Sequence, residues 1–262
     1  MRNRSSVPPP HEDRAPLLSH LLALRRVILI SLFAVVAAFF LVYYLCLDSL
    51  MAWITRPITS RGIDIIYTAV AEALTTKIKV GIIAALVISS PVIIWQFWSF
   101  IRPALMPKSR RAFWTAFLVI LLLFLLGVFF SLFAVYNLAL DFFFVQSESL
   151  AKPMFSLDKY VSFLFGFVIP FGVAFQLPFV LYLTTRAGLT TVRGLCSKRN
   201  YVICGIFVFA AVLTPPDVVS QIALGIPLCL LYEAGILAAR VVRRKEKGES
   251  TEPFTGSKNS KA

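Results

Sequence analysis

Six long apolar stretches dominate the chain, near residues 27–47, 80–98, 112–140, 160–185, 201–213 and 218–239, with short polar segments between them. A helical apolar run of ~18 or more residues is long enough to cross the ~30 Å hydrocarbon core of a bilayer. Four of the six meet that length comfortably, and two fall near or below it. The expected fold class is therefore an all-α integral membrane protein with six transmembrane helices. The residues are 58% hydrophobic and 15% charged, which is too apolar for a soluble protein of 262 residues. The segments between the spans are too short for a separate soluble domain. One membrane domain, residues 17–243, is expected between two disordered polar tails, 1–16 and 244–262.

A net charge of +13 raises the question of nucleic acid, but the placement of the cations answers it. Twenty of the 26 Lys and Arg residues lie in the N-terminal tail, the loops between spans two and three and between spans four and five, and the C-terminal tail. The opposite loops hold the other six, Arg56, Arg61, Lys77, Lys79, Lys152 and Lys159, with seven acids among them. The positive-inside rule puts both termini in the cytoplasm. The basic excess reads as topology plus attraction to anionic lipid, not nucleic-acid binding. Cys46, Cys196, Cys204 and Cys229 show no metal-type or redox spacing and are expected as reduced, structural thiols.

The spans differ in kind. A short amphipathic lead, Leu17 to Arg26, is expected to lie on the interface before span one. Span two ends in Pro91 and the group Trp95, Phe97, Trp98 and Phe100, which suits an interfacial aromatic belt. Span three, about 43 Å as a straight helix, should tilt or project beyond the lipid. Span four is interrupted by Pro170 and Pro178, with Gln176 between them. Span five has 13 residues between Asn200 and the Thr214-Pro215-Pro216-Asp217 turn, about 20 Å, and span six is only modestly longer. Short fifth and sixth helices beside a long third suggest a concave body with one thin wall.

Few polar groups enter the lipid zone. Gln176 needs hydrogen bonds from the bundle or from another chain. Glu233, two turns before Arg240, has snorkelling toward the cytoplasmic interface as its simplest account. Thr214, Asp217 and Gln221 surround the external turn, where Asp217 can cap the helix that begins at Val218. No nucleophile has a base beside it, and there is no phosphate loop or metal-spaced cluster, so no enzymatic activity and no cofactor are expected.

Four motifs in order resemble the TatC family, the multispanning receptor subunit of the twin-arginine protein translocase. They are His20 to Arg26; Ser90-Pro91-Val92 through Gln96, Phe97, Trp98, Phe100, Ile101, Pro103, Ala104 and Leu105; Phe171 to Pro178; and Leu213 to Asp217 followed by Ser220-Gln221. The resemblance covers about residues 17–243. It implies a glove-like six-helix bundle in a bacterial cytoplasmic membrane. It further implies binding of signal peptides on folded precursors, single-span TatA/TatB-type partners, a homo-oligomer within a larger complex, and export driven by the proton motive force.

The resemblance also assigns residues. Arg25, Phe100, Pro103 and Leu105 match the cytoplasmic, signal-facing surface, and Pro57 matches a proline of the first external loop. Gln176 matches the polar position of span four, Thr214 and Gln221 the partner-docking contact, Asp217 the acid of the external turn, and Glu233 an acid of span six. Two departures stand out. Family members commonly carry glutamates where this chain has Ala23 and Ser109, and those carboxylates suit guanidinium groups. Two alternatives remain at this stage: a divergent paralogue that assembles with partners without being the twin-arginine receptor, and a small-solute transporter.

Overall fold

The computed structural model describes residues 14–105, 110–135, 137, 140–141, 154–213 and 218–249. Apart from two short strands, the regular structure among these residues is helical: α1 Arg14–Leu45, α2 Leu47–Thr59, α3 Glu72–Leu105, α4 Arg110–Phe130 with a π turn Ser131–Val135, α5 Leu157–Ala174, α6 Leu177–Arg186, α7 Val192–Ser197, α8 Arg199–Leu213 and α9 Val218–Glu249. Five spans are long and apolar enough to cross a membrane: Leu21–Leu45, Glu72–Ile101, Arg110–Ala134, Leu157–Arg186 and Val218–Val241. The helix Arg199–Val212 is apolar but shorter. These correspond one to one with the six apolar stretches. The terminal tails beyond residues 14 and 249 lie outside the described residues.

The described residues form two compact units. One comprises those up to Gly62 and from Tyr67 to Phe117; the other comprises Ile63–Ile66 and those from Leu118 onward.

In the first unit α1 lies along α3. Gly81 permits the approach, since a Cβ there would fall 2.9 Å from the Phe39 ring. The expected interfacial lead is instead the start of one continuous helix from Arg14 to Leu45. Nothing between Ala15 and Arg26 breaks it, and Pro16 falls in the first turn, where its missing N–H is harmless.

The loop expected around Pro57 contains a helix of its own. Leu47, Ile54 and Ile58 of α2 turn one buried stripe inward, and Pro57 sits inside the helix near its end. Asp48 of α2 pairs with Lys77 of α3 at 3.0 Å.

At the start of α3, buried Glu72 accepts from Thr68 Oγ1 at 2.7 Å and from the Ala69 N–H at 3.1 Å, and also from the Thr68 N–H. One carboxylate thus ties down the turn that leads into the helix.

Trp95 and Trp98 do not form the lipid-facing belt expected of them. The Trp98 side chain is buried, and its Nε1–H donates to the Phe113 carbonyl of α4 at 3.3 Å. Trp95 packs against Phe113, Trp114 and Phe117 with ring centroids 4.9, 5.1 and 5.2 Å away. An indole has a large apolar area and one donor, and α4 satisfies both. Phe97 alone of the group is well exposed, at 59%.

In the second unit the fourth span is broken once. Pro170 is carried inside α5, whereas the break falls at Phe175–Gln176, just before Pro178. Pro178 cannot donate to the Ala174 carbonyl and its ring crowds that turn. The chain tightens there, with the Gln176 N–H bonded to the Val173 carbonyl at 3.0 Å. α6 ends in a Schellman turn: Leu189 N–H reaches the Thr184 carbonyl at 3.0 Å, and Gly188 takes φ +73°.

α4 and α5 meet at two glycines. A Cβ on Gly127 would lie 2.6 Å from the Phe171 carbonyl oxygen, and one on Gly172 would lie 2.9 Å from the Phe124 ring. Phe167, Phe171 and Phe175 then fill a core with Ile206, Leu224, Leu228 and Ile236. A parallel two-residue ladder, Ile65 to Phe155 and Ile66 to Ser156, completes this unit.

The third span is helical from Arg110 through the π turn ending at Val135, about 39 Å, and Asn137, Leu140 and Asp141 beyond it are helical too. One length differs from expectation. α8, with 15 residues and about 22 Å, is short as expected, but α9 is not. Its apolar part, Val218–Val241, has 24 residues, about 36 Å. Pro227 is carried within it, and the Arg- and Lys-rich end continues the helix because those residues are good helix formers.

Two stability predictions follow from this geometry. Gly127→Ala should destabilise the detergent-solubilised protein by about 1–3 kcal/mol in a thermal melt, because rigid backbone stands where the methyl must go. Gly205→Ala, with nothing within 4 Å of the added carbon, should leave the melt unchanged or slightly raised. Glu72→Ala should cost about 1–3 kcal/mol by orphaning its donors, and faster amide exchange at Thr68 and Ala69 would report it.

Candidate functional site

The polar side chains of the second unit fall at the places where its helices cross. Gln176 stands at the break in the fourth span, and its Nε2 donates to the Ile120 carbonyl of α4 at 3.1 Å. Its Oε1 is buried and accepts no hydrogen bond from the described residues. Half of this amide therefore serves the bundle and half is unused. Ser131, at the π turn, is fully buried with an Oγ likewise without a hydrogen-bond partner among the described residues. Along α4 from Val119 to Leu132 runs an open apolar groove of about 790 Å³, lined by Leu122, Leu126 and Phe129 among others.

α8 is tied to α9 near its middle and at its first residue. Gln221 Nε2 donates to the Phe207 carbonyl at 3.0 Å. Twelve residues further along α9, Glu233 meets Arg199, the first residue of α8. Arg199 Nε lies 2.7 Å from Oε1, and its Nη2 donates to Oε2 at 2.8 Å. Glu233 therefore does not simply snorkel; its partner is an arginine 34 residues away in sequence. The paired planar groups hold each other more firmly than a lysine would. Next to it, the Tyr232 hydroxyl donates to the Leu195 carbonyl of α7 at 2.9 Å, and Arg240 reaches the Cys196 sulfur at 3.6 Å.

The other positions singled out by sequence are distributed as follows. Ala23 and Arg25 are exposed on α1, Phe100 is half-buried near the end of α3, and Pro57 is half-buried in α2. Pro103 and Leu105 lie in the last turn of α3. Ser109, Thr214 and Asp217 lie outside the described residues, so the cap proposed for Val218 falls there too. Sequence reasoning missed Arg199, Ile120 and Glu72. Arg199 carried a usable signal, as a cation at the same end of the bundle as the sole acid of span six. The Ile120 carbonyl, a main-chain group, carried none.

Among the described residues no cluster of three or more His, Cys, Asp or Glu could hold a metal ion. What the fold and its polar contacts define is a multispanning helical membrane protein whose polar groups join helices. The TatC family, "Sec-independent protein translocase protein", matches residues 19–227. TatC of Carboxydothermus hydrogenoformans is 37% identical over 88% of this chain and 95% of its own. TatC of Escherichia coli K12 is 35% identical over 87% and 90%. A crystal structure of the twin-arginine translocase receptor TatC superposes with TM-score 0.80 at 37% identity, covering 86% of this chain and all of its own. A second such structure, in DDM, gives 0.79 at 38%.

The chain belongs to the TatC family of Sec-independent protein translocase proteins. It is a membrane-transport subunit, not an enzyme, and membership implies a Tat complex with further components.

The Arg199–Glu233 pair is testable by a double-mutant cycle. Both side chains are about two-fifths exposed, so the coupling between Arg199→Gln and Glu233→Gln should be on the order of 1 kcal/mol in detergent melts. Purely additive losses would assign each residue a separate role.

Proposed function

We propose that this chain is the signal-receiving and partner-organising subunit of a twin-arginine translocase in a bacterial cytoplasmic membrane, with both termini in the cytoplasm. In this reading it meets the signal peptides of folded precursors, gathers single-span TatA/TatB-type partners, works in several copies beside anionic lipid, and supports export driven by the proton motive force. The work is recognition and assembly, with no covalent step. Twenty of the 26 cations on one set of loops and tails support the orientation.

The observation that carries the reading is the half-used amide of Gln176. An intramembrane acceptor left without a donor is costly in lipid and is retained where a second chain supplies the bond. The apolar groove along α4 offers the kind of surface that suits the hydrophobic part of a signal or a partner helix. Gln221 on α9 and Thr214, the residue after α8 in sequence, are the partner-docking positions. Arg25, Phe100, Pro103 and Leu105 belong to the cytoplasmic face that meets the signal, Asp217 and Pro57 shape the external side, and Glu233 holds α8.

A second reading is favoured by Ala23. This exposed methyl stands where a carboxylate would receive a guanidinium, and Ser109 is the matching loss in the first cytoplasmic loop. On this reading the chain is a paralogue that assembles with partners but does not itself read the arginine pair.

Export of a folded reporter bearing a twin-arginine signal, in cells lacking their own TatC, tests both readings. On the first, the unmodified chain restores export, and Gln176→Leu lowers it by roughly tenfold with membrane levels unchanged. Replacing the signal's arginine pair by lysines should have little effect on the natural chain. It should weaken binding to the Ala23→Glu, Ser109→Glu variant by about tenfold, because bidentate carboxylate contacts distinguish the two. Rescue only after those two exchanges would favour the paralogue.

A further inference from the structure

The basic end of the second unit has a composition its protein contacts do not explain. Arg186 closes the apolar span Leu157–Arg186, Arg240 falls at the end of Val218–Val241, and Arg199 opens Arg199–Val212. Three helix ends bearing arginine therefore lie at a lipid boundary by their hydropathy alone. The contacts agree on the level. α6 lies on α9 where Gly235 meets Pro178 and Leu181, and Arg240 of α9 touches Cys196 at the end of α7. Arg193 and Lys198 flank that contact on α7 and the residue after it.

Five cations thus share one end of the unit. Between Asp158 and Arg244 the sequence has two acids, Asp217, which precedes the first residue of α9, and Glu233. Glu233 is taken up by Arg199 through both its oxygens. Arg240, an exposed guanidinium, is set against a thiol, and the Arg186 Nη1 donates to the Tyr182 hydroxyl at 3.1 Å. Arg193 and Lys198 are exposed. Exposed apolar side chains, Leu189, Tyr201, Leu237 and Val241, lie among these cations in sequence. Cations interleaved with exposed aliphatic and aromatic groups, at the ends of apolar spans, match a headgroup with its acyl chains.

We infer that Arg186, Arg193, Lys198 and Arg240 form a binding site for the phosphate headgroup of an anionic phospholipid, with Arg199–Glu233 keeping α8 and α9 in register beside it. The inference rests on the membrane placement in the proposed function, but its readout is independent of export.

The test is native mass spectrometry of the full chain released from a neutral detergent after exposure to phosphatidylglycerol or phosphatidylcholine. Phosphatidylglycerol should be retained preferentially, and each neutralised cation should cut that preference about fivefold. Arg193→Gln, Arg240→Gln and Lys198→Gln, all at exposed positions, are tested singly, and Arg240→Lys should keep the preference. Excess inorganic phosphate should not displace the lipid.

Equal retention of the two lipids, or a preference untouched by all three exchanges, overturns the site. So does displacement by inorganic phosphate, or capture of an acidic peptide with no lipid preference. A protein that keeps phosphatidylglycerol yet fails to export would overturn the function and leave the site standing.

Discussion

A polar group in hydrocarbon must find its partner inside the protein, and the second unit is organised by that requirement. Its helices have little hydrophobic reason to associate, since lipid tails are as apolar as their own side chains. Close approach and a few hydrogen bonds decide the packing instead. Gly127 and Gly172 let α4 and α5 touch at the Phe171 carbonyl and the Phe124 ring. Gln176, Gln221, Tyr232 and Glu233 each cross to another helix, three of them to a main-chain carbonyl. A carbonyl is present at every turn, so a long polar side chain finds one wherever the spacing allows. Glu233, as an anion, needs a cation, and α8 supplies it at its first residue.

The first unit answers the same requirement at its ends. Glu72 binds the donors of the turn before α3, and Trp98 spends its one N–H on the Phe113 carbonyl at the other end of the helix. Between these two points the long helix carries no acid, and its serines turn back to their own main chain. Ser89 bonds the Leu86 carbonyl and Ser90 the Val87 carbonyl.

Legibility in the sequence followed the range of the interaction. The six apolar runs report a property of each segment alone, and all six became helices. The break before Pro178 was readable because a proline acts on its own preceding turn; that Pro170 and Pro227 leave their helices intact was not, since neighbouring packing decides it. α2 was hidden because Asp48, Thr55, Arg56, Pro57 and Thr59 mask its stripe of Leu47, Ile54 and Ile58. Gln176 and Glu233 announced themselves as polar residues in apolar surroundings. Their partners are 56 and 34 residues distant: Arg199 could be read only as a cation at the same end of the bundle, and the Ile120 carbonyl, a backbone atom, not at all. The aromatic group after Pro91 shows the same limit: an indole suited to a lipid interface is equally suited to a helix crossing.

The broken fourth span has a mechanical consequence. Its first piece, α5, bears on the π turn and Gly127 of α4, while its second piece, α6, rides on α9 at Gly235. One crossing of the membrane is thus two struts braced against different walls, and Gln176 is the pin at their joint, fastened to α4. A load applied to α9 through the second strut meets α4 at the joint that this amide helps to fasten.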